Sequence, residues 1–418
     1  MVGIIFSVIF AIYLSFNPLP AGSLPDPQIF GVILIAISTL FIIVQTLITG
    51  FAWTPLQKNE QNLVSRSIEM YASDKNLKLT NSLLLGFLLF SYLITIEIIF
   101  FDHVNKIYLL AIWTIALGFA VDLLHHFLNR IHQYLNPFKV TDLFVEKANE
   151  SIQQDHEREL CNWIDALSET GVKAILKNSP SLTNHAIDQL NHVMRNFLYS
   201  SKSFMHSEID QESEEMGIQD RVSYTLFYFF EHLEQIHDIA LEKNLETVSS
   251  RIIGVLGKTV VNAAKYDMTM ATYPIHYLGK IAKKAQENGY EEIGNRAMLT
   301  LLEVSNRITT EVDIEYVNLQ NPFLSIITYM DEIAKESFRQ NKSINLQILI
   351  QPIRELKELF STEELKSHQD TSVIVTSIDN VIDEFETLEK ILNTMPPLSD
   401  IIEEKEEGEE KPKKDMEE

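Results

Sequence analysis

The stretch FAVDLLHHFLNRIH, Phe119 to His132, closes the last long apolar run of the chain and carries an acid and two adjacent histidines. It is also where the composition changes. Residues 1 to 139 hold seven Lys or Arg and seven Asp or Glu, so the remaining 27 basic and 51 acidic residues carry the whole formal charge of −24. An average of 46% hydrophobic and 22% charged residues over 418 positions hides these two compositions. The first suits lipid as solvent and the second suits water.

Four apolar stretches precede the boundary, near residues 1–16, 29–53, 83–101 and 108–128. Crossing about 30 Å of hydrocarbon takes roughly 20 apolar residues in a helix, which the last three supply. The first is short; with no basic residues before it and only a weak cleavage site at Ala21, it reads as a retained span rather than a signal peptide. Lys58, Arg66, Lys75 and Lys78 fill the loop before the third stretch, residues 17–28 hold no Lys or Arg, and DHVNK holds only Lys106. Basic residues near span ends stay cytoplasmic, so both chain ends are expected inside.

Asp122, His125, His126 and Asn129 recur at helical spacing along one stripe, continued by His132, with Leu124, Phe127, Leu128, Ile131 and Leu135 on the other face. A carboxylate within a span is costly and marks a candidate site, with imidazoles one turn away able to bind metal or relay protons. Alternatively, Asp122 faces the bundle and caps or hydrogen-bonds a neighbour, while the histidines mark the water boundary; this second reading is preferred. Glu97, in ITIEIIFFDH, invites the same two readings. The candidate intramembrane polar residues are therefore Glu97, Asp122, His125 and His126.

From Pro137 to about residue 400 the apolar residues fall at spacings of three and four, which predicts an all-helical cytoplasmic domain; VIVTSI near residue 373 is the one short β-like run. Turns are signalled at LKNSPSLTN, SEIDQESEE, ENGYEE and RQNKS. Residues 401–418 form a charged tail unable to build a core. Within the domain, Leu233, Leu278 and Met330 begin three ungapped matches at offsets of 45 and 52 residues. Ile236, Ile281 and Ile333 follow three residues on; Ile253, Met298 and Ile350 follow twenty on; Leu256, Leu301 and Ile353 follow twenty-three on. Each unit reads as helix, polar turn, helix, near the length of a HEAT or armadillo hairpin. The expected fold class is all-α: a bundle of about four transmembrane helices over residues 1–136, then a helical domain with repeat-like units over 137–400.

Catalytic motifs fail on inspection. GVLGKT lacks the first glycine of a phosphate loop, Ile252 standing in its place; HEREL has Leu160 where a zinc-protease helix needs a second histidine. His232 and His237 lie five apart and point to different helix faces. His185, Asp188 and His192 share a face, but a solvated helix explains them. The single Cys161 excludes an internal disulfide and any multi-cysteine metal framework. No catalytic residue, cofactor or metal is assigned, and the acidity disfavours nucleic acid as a partner. The expected partners are the lipid bilayer and a protein surface, either another chain or a second copy. A small ion channel or transporter regulated by the helical domain is the alternative.

The span order, the basic inner loop, the His125–His126 pair of LLHHFLNRIH and Ser179–Pro180 of SPSLTNHAIDQL together resemble the bacterial membrane proteins grouped as domain of unknown function 2254. The resemblance covers about residues 29–200. The Asn-Asp-Pro expected after Ser-Pro is absent, and Asp188 follows at a shorter distance. It implies a multi-pass protein of the bacterial inner membrane and no reaction.

Overall fold

The structure, a computed structural model, describes residues 2–16, 27–100, 106–207 and 218–394, all in helices and their connections. The acidic SEIDQESEE segment from Glu208 onward and the charged tail lie outside the described residues. Contacts divide the chain into two compact units, Met1–Val193 and Met194–Glu418.

The first unit holds α1 (Val2–Phe16), α2 (Pro27–Asn62), α3 (Ser67–Ser73), α4 (Lys75–Phe100), α5 (Lys106–Leu135), α6 (Pro137–Gln153), α7 (Glu157–Leu176) and the start of α8 (Pro180–Ser207). Three helices, α2, α4 and α5, are long and apolar enough to cross a membrane. Helix α1, over the expected first span, is a shorter apolar helix of 15 residues, about 22 Å long. The other three helices all run past their apolar stretches at the ends expected to be cytoplasmic.

Polar and small residues fix the register of α2 against its neighbours. Gly31, Ser38, Gln45, Ala52 and Asn59 recur every seventh residue, the repeat that keeps one stripe of a helix against its partner. The Thr95 hydroxyl donates to the Gly31 carbonyl at 3.3 Å. Ser38 Oγ donates to Ser91 Oγ at 2.6 Å, and Trp113 Nε1 to the same Ser91 oxygen at 2.8 Å, which joins α2, α4 and α5. Gln45 donates to Asn81, Ala52 is buried, and Asn59 Nδ2 donates to the Leu135 carbonyl at 2.9 Å. Such bonds and close approaches tie the three apolar helices to one another.

The helix of α5 runs unbroken to Leu135, and Asn136 then caps α6 by accepting from the Phe138 amide at 3.1 Å. Pro137 supplies the fixed φ of a first helical turn. On α5, Phe127, Ile131 and Tyr134 are buried, whereas Leu128, expected on the packed face, is exposed.

The second unit comprises the rest of α8, α9 (Ile218–Glu242), α10 (Glu246–Tyr266), a 3-10 turn (Met268–Ala271), α11 (Thr272–Glu287), α12 (Glu291–Glu311), α13 (Gln320–Gln340), α14 (Leu346–Leu349), α15 (Gln351–Leu359), α16 (Glu363–Lys366) and α17 (Thr371–Thr394). VIVTSI lies inside α17, not in a strand. Ile374, Ile378, Ile382 and Phe385 are buried at spacings of four, four and three, so the helical period overrides the β-branched composition.

One turn type recurs in both units. Asp155, Asn178, Asn244 and Gly289 adopt left-handed φ of 54–85°. The next amide in each case, that of His156, Ser179, Leu245 or Tyr290, donates to a carbonyl five residues back at 2.8–3.0 Å. This is the Schellman ending, in which Asn and Gly are the residues that best tolerate positive φ.

Within the second unit α9 packs on α11, α11 on α13 and α13 on α17, while α10 packs on α12 and α12 on α15. All twelve residues of the sequence matches, from Leu233 to Ile353, are no more than 2% exposed. Ion pairs join successive first helices: Lys284 to Asp238 at 2.7 Å, Lys283 to Glu332 at 3.0 Å and Lys335 to Glu384 at 3.0 Å.

Candidate functional site

Three of the four candidates, Asp122, His125 and His126, lie on α5, and Glu97 lies on α4. Helix α1 lies along it with its N-terminus at Asp122: the Gly3 amide donates to Asp122 Oδ1 at 3.0 Å and the Ile4 amide to Oδ2 at 3.2 Å. The first amides of a helix have no partner within it, so a carboxylate there satisfies donors and complements the helix dipole. Close approach is what permits this. A Cβ on Gly118 would fall 2.2 Å from Ser7 Oγ and 2.5 Å from the Gly3 carbonyl oxygen, so glycine is required where α1 crosses.

His125 and His126 are exposed on the same helix. Asn129 Nδ2 lies 3.0 Å from His125 Nε2. Glu97 is half-buried near the far end of α4 and makes no hydrogen bond among the described residues. Asp122 lies sixteen residues into α5, about 24 Å along that helix from its start. The fold therefore does not bring Glu97 and Asp122 together. Among the described residues, no group of three or more His, Cys, Asp or Glu is placed to hold a metal ion. His185 Nε2 lies 3.2 Å from Asp142 Oδ1, which also accepts from Gln189 Nε2 at 2.9 Å.

A second polar cluster was not anticipated from the sequence. Asp74, between α3 and α4, accepts from the Asn76 and Leu77 amides on Oδ1 at 2.8 and 3.3 Å. Its Oδ2 accepts from Arg130 Nε and from the Tyr134 hydroxyl, both at 2.7 Å. Burial raises the Asp74 pKa, but the bonds from Tyr134, Arg130 and the Asn76 amide outweigh it and hold the carboxyl below its usual range. Nearby, Lys173 Nζ of α7 donates to the Glu60 carbonyl at 2.8 Å and to Ser65 Oγ at 2.7 Å, placing a cation at the C-terminus of α2. Both sets fasten helix ends; neither leaves a reactive group in a cleft. Burial pushes the Cys161 thiol up to about 11, which leaves it a thiol at neutral pH.

No protein-family model and no curated protein matches the chain. Matches among solved structures include the following two. One is described as a "circular tandem repeat protein with novel repeat topology and enhanced subunit contact surfaces", 15% identical over 93% of this chain and 90% of that one, with a TM-score of 0.39. The other is a "DHF58 filament", 15% identical over 60% of this chain and 97% of that one, with a TM-score of 0.22. At those scores neither bears on function.

Proposed function

We propose that this chain is a multi-pass protein of a bacterial inner membrane whose helical cytoplasmic domain is a scaffold for other proteins or for a second copy of itself. The observation that carries the membrane half is the outward apolar surface of α2, α4 and α5. Only 22%, 33% and 28% of their most apolar windows are buried. Side chains such as Phe51, Leu93 and Phe100 are more than half exposed, a surface that water would penalise and hydrocarbon accepts.

The scaffold half is supported by three successive hairpins, α9–α10, α11–α12 and α13–α15, whose matched residues are buried alike and whose neighbours pack first helix on first helix. Stacked hairpins of this kind form a repeat array, which presents an extended face for binding. The placing of Asp122 at the N-terminus of α1, away from Glu97, favours the scaffold over an ion path. The likeness to domain of unknown function 2254 belongs to the same proposal. His125 and His126 leave the last long apolar helix, and Ser179–Pro180 form the turn into α8.

Alkaline carbonate extraction should leave the full chain in the membrane pellet. Reporter fusions at Ser23 and Ser201 should report opposite sides, with Ser201 cytoplasmic, and mild crosslinking should recover a defined protein partner or a dimer. Release by carbonate, or a periplasmic signal at Ser201, overturns the membrane reading; a strictly monomeric chain with no crosslinked partner overturns the scaffold.

A further inference from the structure

Three helices of the first unit lose their exposed apolar surface at one level. The last large apolar side chain exposed on α2 is Trp53, the first on α4 is Leu79, and the last on α5 is Leu128. Hydrogen bonds set the register of these helices, with α4 antiparallel to α2 and α5: Gln45 with Asn81, Asn59 with the end of α5, and Asp74 with Arg130 and Tyr134. Trp53 lies between the tied Gln45 and Asn59 on α2, Leu79 between Asp74 and Asn81, and Leu128 two residues before the tied Arg130 on α5.

Lys58, Lys75 and Lys78 follow at once, within about a turn or two of that level. All three are exposed, and their ammonium groups have no hydrogen bond or ion pair among the described residues. The contrast with the second unit is sharp, where Lys265, Lys280, Lys283, Lys284, Lys335 and Lys357 each meet a carboxylate. Acids close to the three lysines are turned away from them. Glu60 accepts from the Ile68 amide at 2.7 Å, and Asp74 is taken up by α4 and α5; Glu69 alone remains exposed on α3. The result is outward positive charge at the rim of an apolar belt, in a chain with a net charge of −24.

We propose that Lys58, Lys75 and Lys78 form a collar that binds the phosphate groups of anionic phospholipids in the cytoplasmic leaflet, an assignment that rests on the membrane reading above. Lysine suits this place because its aliphatic stem lies along apolar surface while its ammonium reaches the headgroups. The headgroup zone is about 5–8 Å deep on each side, within reach of all three side chains from adjacent helix turns. Anionic headgroups attract such juxtamembrane charge and repel the acidic helical domain, so the collar would hold the bundle at the surface the rest of the chain avoids.

The test uses the full chain reconstituted in phosphatidylcholine vesicles carrying trace spin-labelled phosphatidylglycerol or spin-labelled phosphatidylcholine. The motionally restricted fraction reports association with the protein. The wild type should favour phosphatidylglycerol about threefold or more. The triple variant Lys58→Gln, Lys75→Gln, Lys78→Gln should show no preference, and the corresponding triple arginine variant should keep it. Inorganic phosphate at matched ionic strength should leave the preference unchanged. Equal restriction of the two lipids by the wild type, or a preference that survives in the glutamine variant, overturns the collar. Displacement by inorganic phosphate overturns it too and reassigns the lysines to a soluble anion. Should the glutamine variant fail to insert, the wild-type comparison and the single substitutions still decide. Carbonate extraction keeps the two claims apart: a protein that stays in the pellet without a lipid preference refutes only the collar.

Discussion

The Tyr134 hydroxyl donates to Asp74 Oδ2 at 2.7 Å across sixty residues of sequence, and it binds the start of α4 to the end of α5. Tyr134 is almost fully buried, with the Tyr71 ring edge-on at 5.6 Å, so loss of its hydroxyl leaves Asp74 Oδ2 with Arg130 Nε as its one remaining donor. Tyr134→Phe should therefore lower the stability of the purified protein by about 1.5–3 kcal/mol, the range for a bond to a charged group. Asp74→Ala, which takes the acceptor from Arg130 Nε and Tyr134 and frees the first amides of α4, should cost more. Thermal unfolding in detergent checks both; an unchanged midpoint for either variant would show that the cluster is not structural.

This cluster also shows where sequence reading stopped. The helical period made the all-helical class legible, because burial demands repeat every three or four residues, and the three long apolar helices were legible as uninterrupted apolar runs. The repeat matches were visible for the same reason. The Asp74 cluster was not, because its side-chain partners Arg130 and Tyr134 lie 56 and 60 residues away and no local pattern marks them. The stripe on α2 could have been found: Gly31, Ser38, Gln45, Ala52 and Asn59 keep a strict spacing of seven inside an apolar run. Asp122 stood out in the sequence, yet its partners are backbone amides, which carry no signature in side-chain spelling. The shortness of α1 was legible, and its docking against Gly118 was not.

Leu256, Leu301 and Ile353 occupy matching places in three successive hairpins and are fully buried. Replacing any one by alanine should cost about 2–5 kcal/mol, since each leaves a cavity in close-packed surroundings. Denaturant unfolding of the full chain, followed by loss of helical signal, should show comparable losses for all three. A cost below about 1 kcal/mol at two of them would mean that the hairpins do not share one mode of packing.

His237 is fully buried in α9, and burial pushes its pKa down to about 4, with Asp238 and Lys284 acting as smaller, opposed influences. The unfolded chain, with a histidine near 6.5, then binds more protons than the folded one between those values. Stability is therefore fully present above about pH 6.5 and falls as pH drops toward 4, by a total of about 3 kcal/mol for this group. His237→Leu should flatten that part of the stability curve. Equal slopes for wild type and variant between pH 6.5 and 4 would show that the imidazole is protonated within the fold.

The Asp122 carboxylate and the two histidines beyond it give opposite expectations. Asp122 accepts from Gly3 and Ile4, so Asp122→Leu removes the acceptor for two helix-start amides, a loss of about 1–2 kcal/mol, the scale of a removed helix cap. Helix α1 should then detach from α5 more often, and a cysteine placed at Ser7, packed against Gly118 in the wild type, should become reactive toward a maleimide. Replacing His125 and His126 together by asparagine should change neither membrane insertion nor that reactivity, because both side chains are exposed and no close packing depends on them. Two results would contradict this division of roles. Unchanged protection of position 7 in Asp122→Leu would show that the carboxylate does not hold α1. Stoichiometric transition metal in the wild-type protein, lost on replacing the two histidines, would make them ligands and move the weight of the argument from scaffold to transport.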